Sequence, residues 1–139
     1  MFYYPVTINQ DPETKQFLVE FLDIPNTYSV GDTFDEALLN AADALETAFY
    51  YFMQNRQAVP LASPANGRPA VAVPVLIAGK VALHNAMLSS GTRKADLARK
   101  LNIAPVLVDR LLSLKHKSKI EQIETALALL DRRLLVDVG

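Results

Sequence analysis

The chain has 139 residues, half of them apolar, with no cysteine and a formal net charge of −1. That composition is too hydrophobic for an intrinsically disordered protein, it excludes disulfides and thiolate metal sites, and the length suits one domain or two small ones. The near-neutral total conceals a split: up to Ala70, Lys15, Arg56 and Arg68 face nine carboxylates, a balance of −6, and beyond it eleven cations face six carboxylates, a balance of +5.

The opening Met1-Phe2-Tyr3-Tyr4-Pro5 lacks the basic and apolar stretches of a signal peptide. The longest apolar run, residues 70–78, is too short to span a membrane. The expectation is a cytoplasmic, soluble protein. Phe2, Tyr4, Val6 and Ile8 alternate with Tyr3, Pro5 and Thr7, the period of a half-buried strand. Asp11-Pro12-Glu13-Thr14-Lys15 supplies a turn, and Phe17, Val19 and Phe21 then share one face of a second strand. Pro25-Asn26 ends that strand, Tyr28 and Val30 predict a short third one, and Gly31-Asp32 turns the chain into a helix.

Thr33-Phe34-Asp35-Glu36 reads as a capping box at the start of that helix. Leu38, Ala41, Ala42, Leu45, Ala48, Phe49 and Phe52 give it one apolar stripe, and it ends near Gln54-Asn55. After a loop at residues 63–69, Val71, Val73 and Val75 predict a fourth strand. The acidic half is thus a β-β-β-α-β unit with one sheet face under a single helix. Its carboxylates, Asp11, Glu20, Asp23, Asp32 and Asp35, have no fixed spacing and no companion histidine, so they read as turn and surface acids before they read as a two-metal nuclease site.

From Ile77 the period becomes helical. Ile77, Val81, His84 and Leu88 predict a helix that Ser89-Ser90-Gly91 terminates, with His84 at its surface or boundary. Residues 92–101, then Asn102-Ile103-Ala104, then residues 105–114 have the spacing of a helix-turn-helix. Thr92 is positioned to cap the first helix, Asn102 to make the turn and Pro105 to open the second helix. Ser118-Lys119-Ile120-Glu121 reads as a further capping box before a last helix.

In a helix-turn-helix the second helix enters the major groove. Its outward residues here are Val106, Leu107, Asp109, Arg110 and Ser113. Arg110 is the candidate for guanine O6 and N7, and Val106 for thymine methyls. Arg93, Lys94, Lys115, Lys117 and Lys119 suit phosphates, contacts that strengthen binding without reading sequence. One such motif covers little DNA, so a homodimer or higher oligomer is expected, with residues 134–138 as a short strand that either pairs two subunits or packs within its own chain.

Nearly the whole chain resembles the HicB antitoxins of bacterial HicA-HicB toxin-antitoxin pairs. The resemblance rests on the order of Tyr4-Pro5-Val6-Thr7, Val19-Glu20-Phe21-Leu22-Asp23-Ile24-Pro25, Gly31-Asp32-Thr33-Phe34-Asp35-Glu36-Ala37, Pro60-Leu61-Ala62-Ser63-Pro64, and Asp96-Leu97-Ala98-Arg99-Lys100 with residues 108–112. It implies an α+β protein: a degenerate RNase H-like domain over residues 1–76 that covers a small basic mRNA-cleaving toxin, then an all-α helix-turn-helix domain over residues 77–139 that binds operator DNA, dimerises and represses its own operon. Neither role implies catalysis or a cofactor. The toxin-facing surface is expected around Asp23, Ile24, Tyr28 and Asp32. One departure is that Ile103, Ala104, Val106 and Leu107 make the reading helix more apolar than the family's polar readers. The competing expectations are a ligand-responsive transcriptional regulator and a metal-dependent nuclease.

Overall fold

A computed structural model describes residues 2–138. The chain is α+β and falls into two compact units: one comprises the residues up to Gln54 together with Val59–Val73, the other Asn55–Ala58 and the residues from Pro74 onward.

In the first unit, β1 (Tyr3–Gln10), β2 (Phe17–Phe21), β3 (Tyr28–Gly31) and β4 (Ala70–Ala72) form an antiparallel sheet in the order β3-β2-β1-β4. The β1–β2 hairpin sets Val6 opposite Phe21 and Ile8 opposite Val19. Its turn is held by the Asp11 carboxylate, which accepts the amides of Glu13 at 2.8 Å and Thr14 at 3.3 Å, while Lys15 takes a left-handed φ of 64°. Helix α1 (Phe34–Gln54) starts where its sequence predicts, and among the described residues one of the two capping-box bonds forms, the Thr33 hydroxyl accepting the Glu36 amide at 3.1 Å. Ala37, Ala41, Leu45 and Phe49 recur every fourth residue and are buried, so one stripe of α1 lies on the sheet. Gly31 permits this approach, because a Cβ there would stand 2.4 Å from the Ala37 amide nitrogen. Each large buried side chain of the stripe stabilises the unit by about 1.5–3 kcal/mol.

The valine alternation overstates the fourth strand. Pairing ends at Ala72, and Val75 already belongs to α2 (Val75–Ser90). The cause is Pro74, whose missing amide and fixed φ suit a helix start and cannot continue a ladder.

The second unit packs α2, α3 (Lys94–Leu101), α4 (Pro105–Leu112) and α5 (Ile120–Leu129) around Leu83, Met87, Leu97, Val108, Ile123 and Leu127. Helix α2 ends at Gly91 in the left-handed conformation, with φ 66°. Asn102 turns the chain between α3 and α4 at φ 56°, ψ 48°, and Pro105 opens α4, as their residue types predict. Thr92 does not cap α3. Arg93 occupies that position, and its amide donates to the Asp96 carboxylate at 3.0 Å. His84 is buried rather than superficial, and its Nε2–H donates to the Gln57 carbonyl at 2.7 Å, pinning the 55–58 segment within this unit. Residues 132–138 form no strand; Leu134 packs on the core while Leu135, Val136 and Val138 are exposed. No helix among the described residues is long and apolar enough to cross a membrane.

Candidate functional site

Helices α3 and α4 pack on each other, and the residues expected to face DNA lie at the start of α3, on α4 and in the segment that follows α4. Arg93, Lys94, Asp109, Arg110, Ser113, Lys115, Lys117 and Lys119 are all exposed, as is Val106 at 55%. Two cations are already paired within the unit. Lys94 meets Asp109 at 2.8 Å across α3 and α4, and Arg99 pairs with Asp96 along α3. Asp96 titrates below the ordinary carboxylate range, chiefly because the Arg93 amide donates to it, with Arg99 adding a smaller attraction. By contrast, Arg110, Lys117 and Lys119 form no ion pair among the described residues. Their charge stays available to an external anion.

The apolar composition of α4 has a structural account. Ile103 packs against the core, Ala104 is the N-cap, and Leu107, at 38% exposure, lines a groove of about 360 Å³ with Leu101, Leu111, Gln122 and Thr125. Of the larger apolar residues in that set Val106 is therefore the most open to solvent, one turn from Asp109 and Arg110.

A buried lysine, which no local sequence signal reveals, underlies this surface. Lys80 of α2 is fully buried, and its Nζ donates to the carbonyls of Arg110 at 2.9 Å, Ser113 at 2.6 Å and His116 at 2.8 Å, and to the Ser118 hydroxyl at 2.9 Å. Burial lowers its pKa from the ordinary 10.5. Ser118 is consequently not the α5 cap that its Ser-x-x-Glu spacing predicts. Lys119 takes that position, its amide donating to Gln122 Oε1 at 3.2 Å, while the Ser118 hydroxyl donates to the Arg110 carbonyl at 3.2 Å.

In the first unit the four partner-facing candidates separate. Tyr28 is 64% exposed, and Asp32 is exposed with Gln16 Nε2 donating to it at 3.1 Å. Ile24 is a correction: at 1% exposure it is core, because the chain folds inward between β2 and β3. Asp23 is half-buried and engaged, accepting both the Ser63 amide at 2.8 Å and the Ser63 hydroxyl at 3.0 Å. It fastens the loop after α1. The same loop is held by Tyr4, whose hydroxyl donates to the Pro60 carbonyl at 2.8 Å; burial, with Asp23 nearby, raises that phenol to about 12. Among the described residues no three His, Asp or Glu side chains gather closely enough to hold a metal ion.

A family model described as the HicB-like antitoxin of bacterial toxin-antitoxin systems matches residues 3–82. The chain is 39% identical to Antitoxin HicB of Pseudomonas fluorescens, over 99% of this chain and 94% of that relative. It is 44% identical to a HicB antitoxin of Photorhabdus laumondii, over 94% of this chain and 92% of the relative. With Antitoxin HicB of Escherichia coli the identity is 37%, over 94% of this chain and 95% of the relative. These relatives cover both units.

Proposed function

From the chain's membership of the HicB-like antitoxins, we propose that its first unit neutralises a small basic mRNA-cleaving toxin of the HicA type and its second binds operator DNA, as a homodimer or higher oligomer, to repress its own operon. The observation that carries this reading is the distribution of charge between the units. The first holds two cations and nine carboxylates, a balance of −7; the second holds twelve cations and six carboxylates, a balance of +6. Of those twelve cations only Lys80 is buried. An acidic unit attracts a basic RNA-binding protein and repels nucleic acid, and a basic unit does the reverse.

On the toxin side, Tyr28 and Asp32 are the exposed members of the proposed contact surface, with Asp23 shaping the loop beside them. On the DNA side, α4 enters the major groove, Arg110 grips guanine, Val106 and Ser113 lie at the base edges, Arg93, Lys115, Lys117 and Lys119 take phosphates, and the Lys94–Asp109 pair fixes α3 against α4. Residues 134–138 become a strand on pairing with a second copy, which supplies the ladder that a lone segment lacks. Neither role requires a cofactor. Co-expression with the small basic protein encoded beside this gene tests the first half: a stable complex and relief of growth arrest are expected, and free toxin activity beside this chain contradicts it. A mobility-shift titration on DNA upstream of the gene tests the second half, with binding that weakens steeply as salt rises as the expected result.

A further inference from the structure

Lys80 lies in the second turn of α2 and is 0% exposed. Four oxygens surround its Nζ between 2.6 and 2.9 Å, one more than an ammonium has protons to give. No carboxylate offsets the charge, since the ion pairs among the described residues lie on α3 and α4. The compensation comes from carbonyl dipoles. Arg110 and Ser113 stand at the C-terminal end of α4, where the negative end of the helix dipole attracts a cation, and the His116 carbonyl belongs to the loop that follows.

Burying a cation is costly, and an apolar side chain of similar length would join α2 to α4 without that cost. Apolar packing alone therefore gives no reason for lysine at this position, whose ammonium serves the three carbonyls and the Ser118 hydroxyl. The same three carbonyls also accept the amides of Ser113, His116 and Ser118, and what the ammonium adds is one anchor that ties these successive turns to α2. The exposed Lys115, Lys117 and Lys119 stand directly beside the gripped residues His116 and Ser118. They are the residues that the DNA-binding reading assigns to phosphates.

We propose that Lys80 is a positioning residue for DNA binding: it clamps the end of α4 and the following loop from inside, so that the lysines of that loop meet the phosphate backbone in one fixed arrangement. This rests on the DNA-binding reading above. The clamp acts through the loop and touches no DNA itself.

The test uses the full chain and a mixed-sequence DNA duplex roughly three helical turns long, since phosphate contacts are independent of sequence. In Lys80→Met, affinity at moderate salt is expected to fall about tenfold, the slope of log affinity against log salt to become shallower by roughly one to two, and the amides of residues 113–119 to exchange faster while those of the first unit keep native protection. Because the native chain contains no cysteine, the thiol of Lys80→Cys can be alkylated with 2-bromoethylamine in the unfolded state and the protein refolded, which restores an ammonium at lysine length. Recovery of both slope and loop protection is the expected outcome. Should Lys80→Met fail to fold, Ser118→Ala, which removes one of the four oxygens, is expected to shift both readouts in the same direction by less. A native salt slope together with native loop exchange in these variants overturns the proposal. A native protein that leaves the duplex unbound at low salt overturns the DNA-binding reading instead, an outcome distinguishable from normal binding that is indifferent to Lys80.

Discussion

In each unit a buried titratable side chain fastens a loop, Tyr4 in the first and Lys80 in the second, and these two fastenings respond to pH with opposite sign. In the first unit a phenol, Tyr4, holds the Pro60 carbonyl; in the second an ammonium, Lys80, holds three carbonyls and a hydroxyl. Burial disfavours the charged form in both cases, raising Tyr4 to about 12 and lowering Lys80 from 10.5. The phenol is neutral where it is buried at neutral pH, so its hydrogen bond carries no cost of burying charge. The lysine incurs that cost and offsets it with backbone dipoles, which ties the loop to α2 through one nitrogen. One fastening is an ordinary element of a stable core, and the other trades stability for the geometry of a basic surface.

The largest expected effect marks the core of the first unit. Phe49, wholly buried and in ring contact with Tyr4 at a centroid distance of 5.4 Å, should lose about 3–5 kcal/mol of stability on Phe49→Ala. Denaturant unfolding should show this while the second unit keeps its native amide protection. A simultaneous collapse of both units would break the comparison.

Lys80→Met sharpens it through pH. In the folded protein Lys80 releases its proton at a lower pH than in the unfolded chain, so between the lowered value and 10.5 the unfolded state binds more protons. Stability contributed by Lys80 therefore rises with pH through that window and levels off above it. The difference in unfolding free energy between the native protein and Lys80→Met should follow that curve. For Tyr4 the sign reverses. Its hydroxyl keeps its proton in the fold up to about 12, so the contribution is complete below pH 10 and is lost as pH rises towards 12. At neutral pH, Tyr4→Phe should cost about 1 kcal/mol for the lost bond to Pro60. A flat difference curve for either variant would remove the contrast between the two units.

Smaller effects follow at half-exposed sites. Asp23→Ala releases the Ser63 amide and hydroxyl, a loss of about 0.5–1.5 kcal/mol, and should move the Tyr4 pKa down from about 12, since Asp23 contributes to raising it. Breaking the exposed Lys94–Asp109 pair should change stability by about 0–1 kcal/mol, measurable in a double-mutant cycle at low salt.

Local signals in the chain are legible where the chemistry is local. The Asp11 turn, the Thr33 hydroxyl at the start of α1, the left-handed Gly91 and Asn102, and Pro105 at the start of α4 all depend on neighbours within a few residues, and all appear in the structure, while of the predicted α1 stripe Ala41, Leu45 and Phe49 are buried and Leu38, Ala42, Ala48 and Phe52 are half-buried beside them. The Ser118 spacing is a local signal too, but a partner 38 residues away competes for that hydroxyl, and the cap passes to Lys119. Lys80 escapes a sequence reading for the same reason: all four of its oxygens lie 30 to 38 residues further along the chain. Ile24 misleads because a hydrophobic residue between a carboxylate and a proline resembles an exposed turn residue, and only the tertiary fold buries it. The alternation at residues 71–75 extends past the point where Pro74 stops a ladder.

In the proposed function the two units serve two partners independently. Its most direct measurement is Arg110→Ala, assayed in parallel for binding to DNA upstream of the gene and for neutralisation of the neighbouring toxin. The account predicts a loss of about 1–3 kcal/mol in specific DNA binding with neutralisation unchanged. Intact DNA binding, or loss of neutralisation in step with it, would contradict the account.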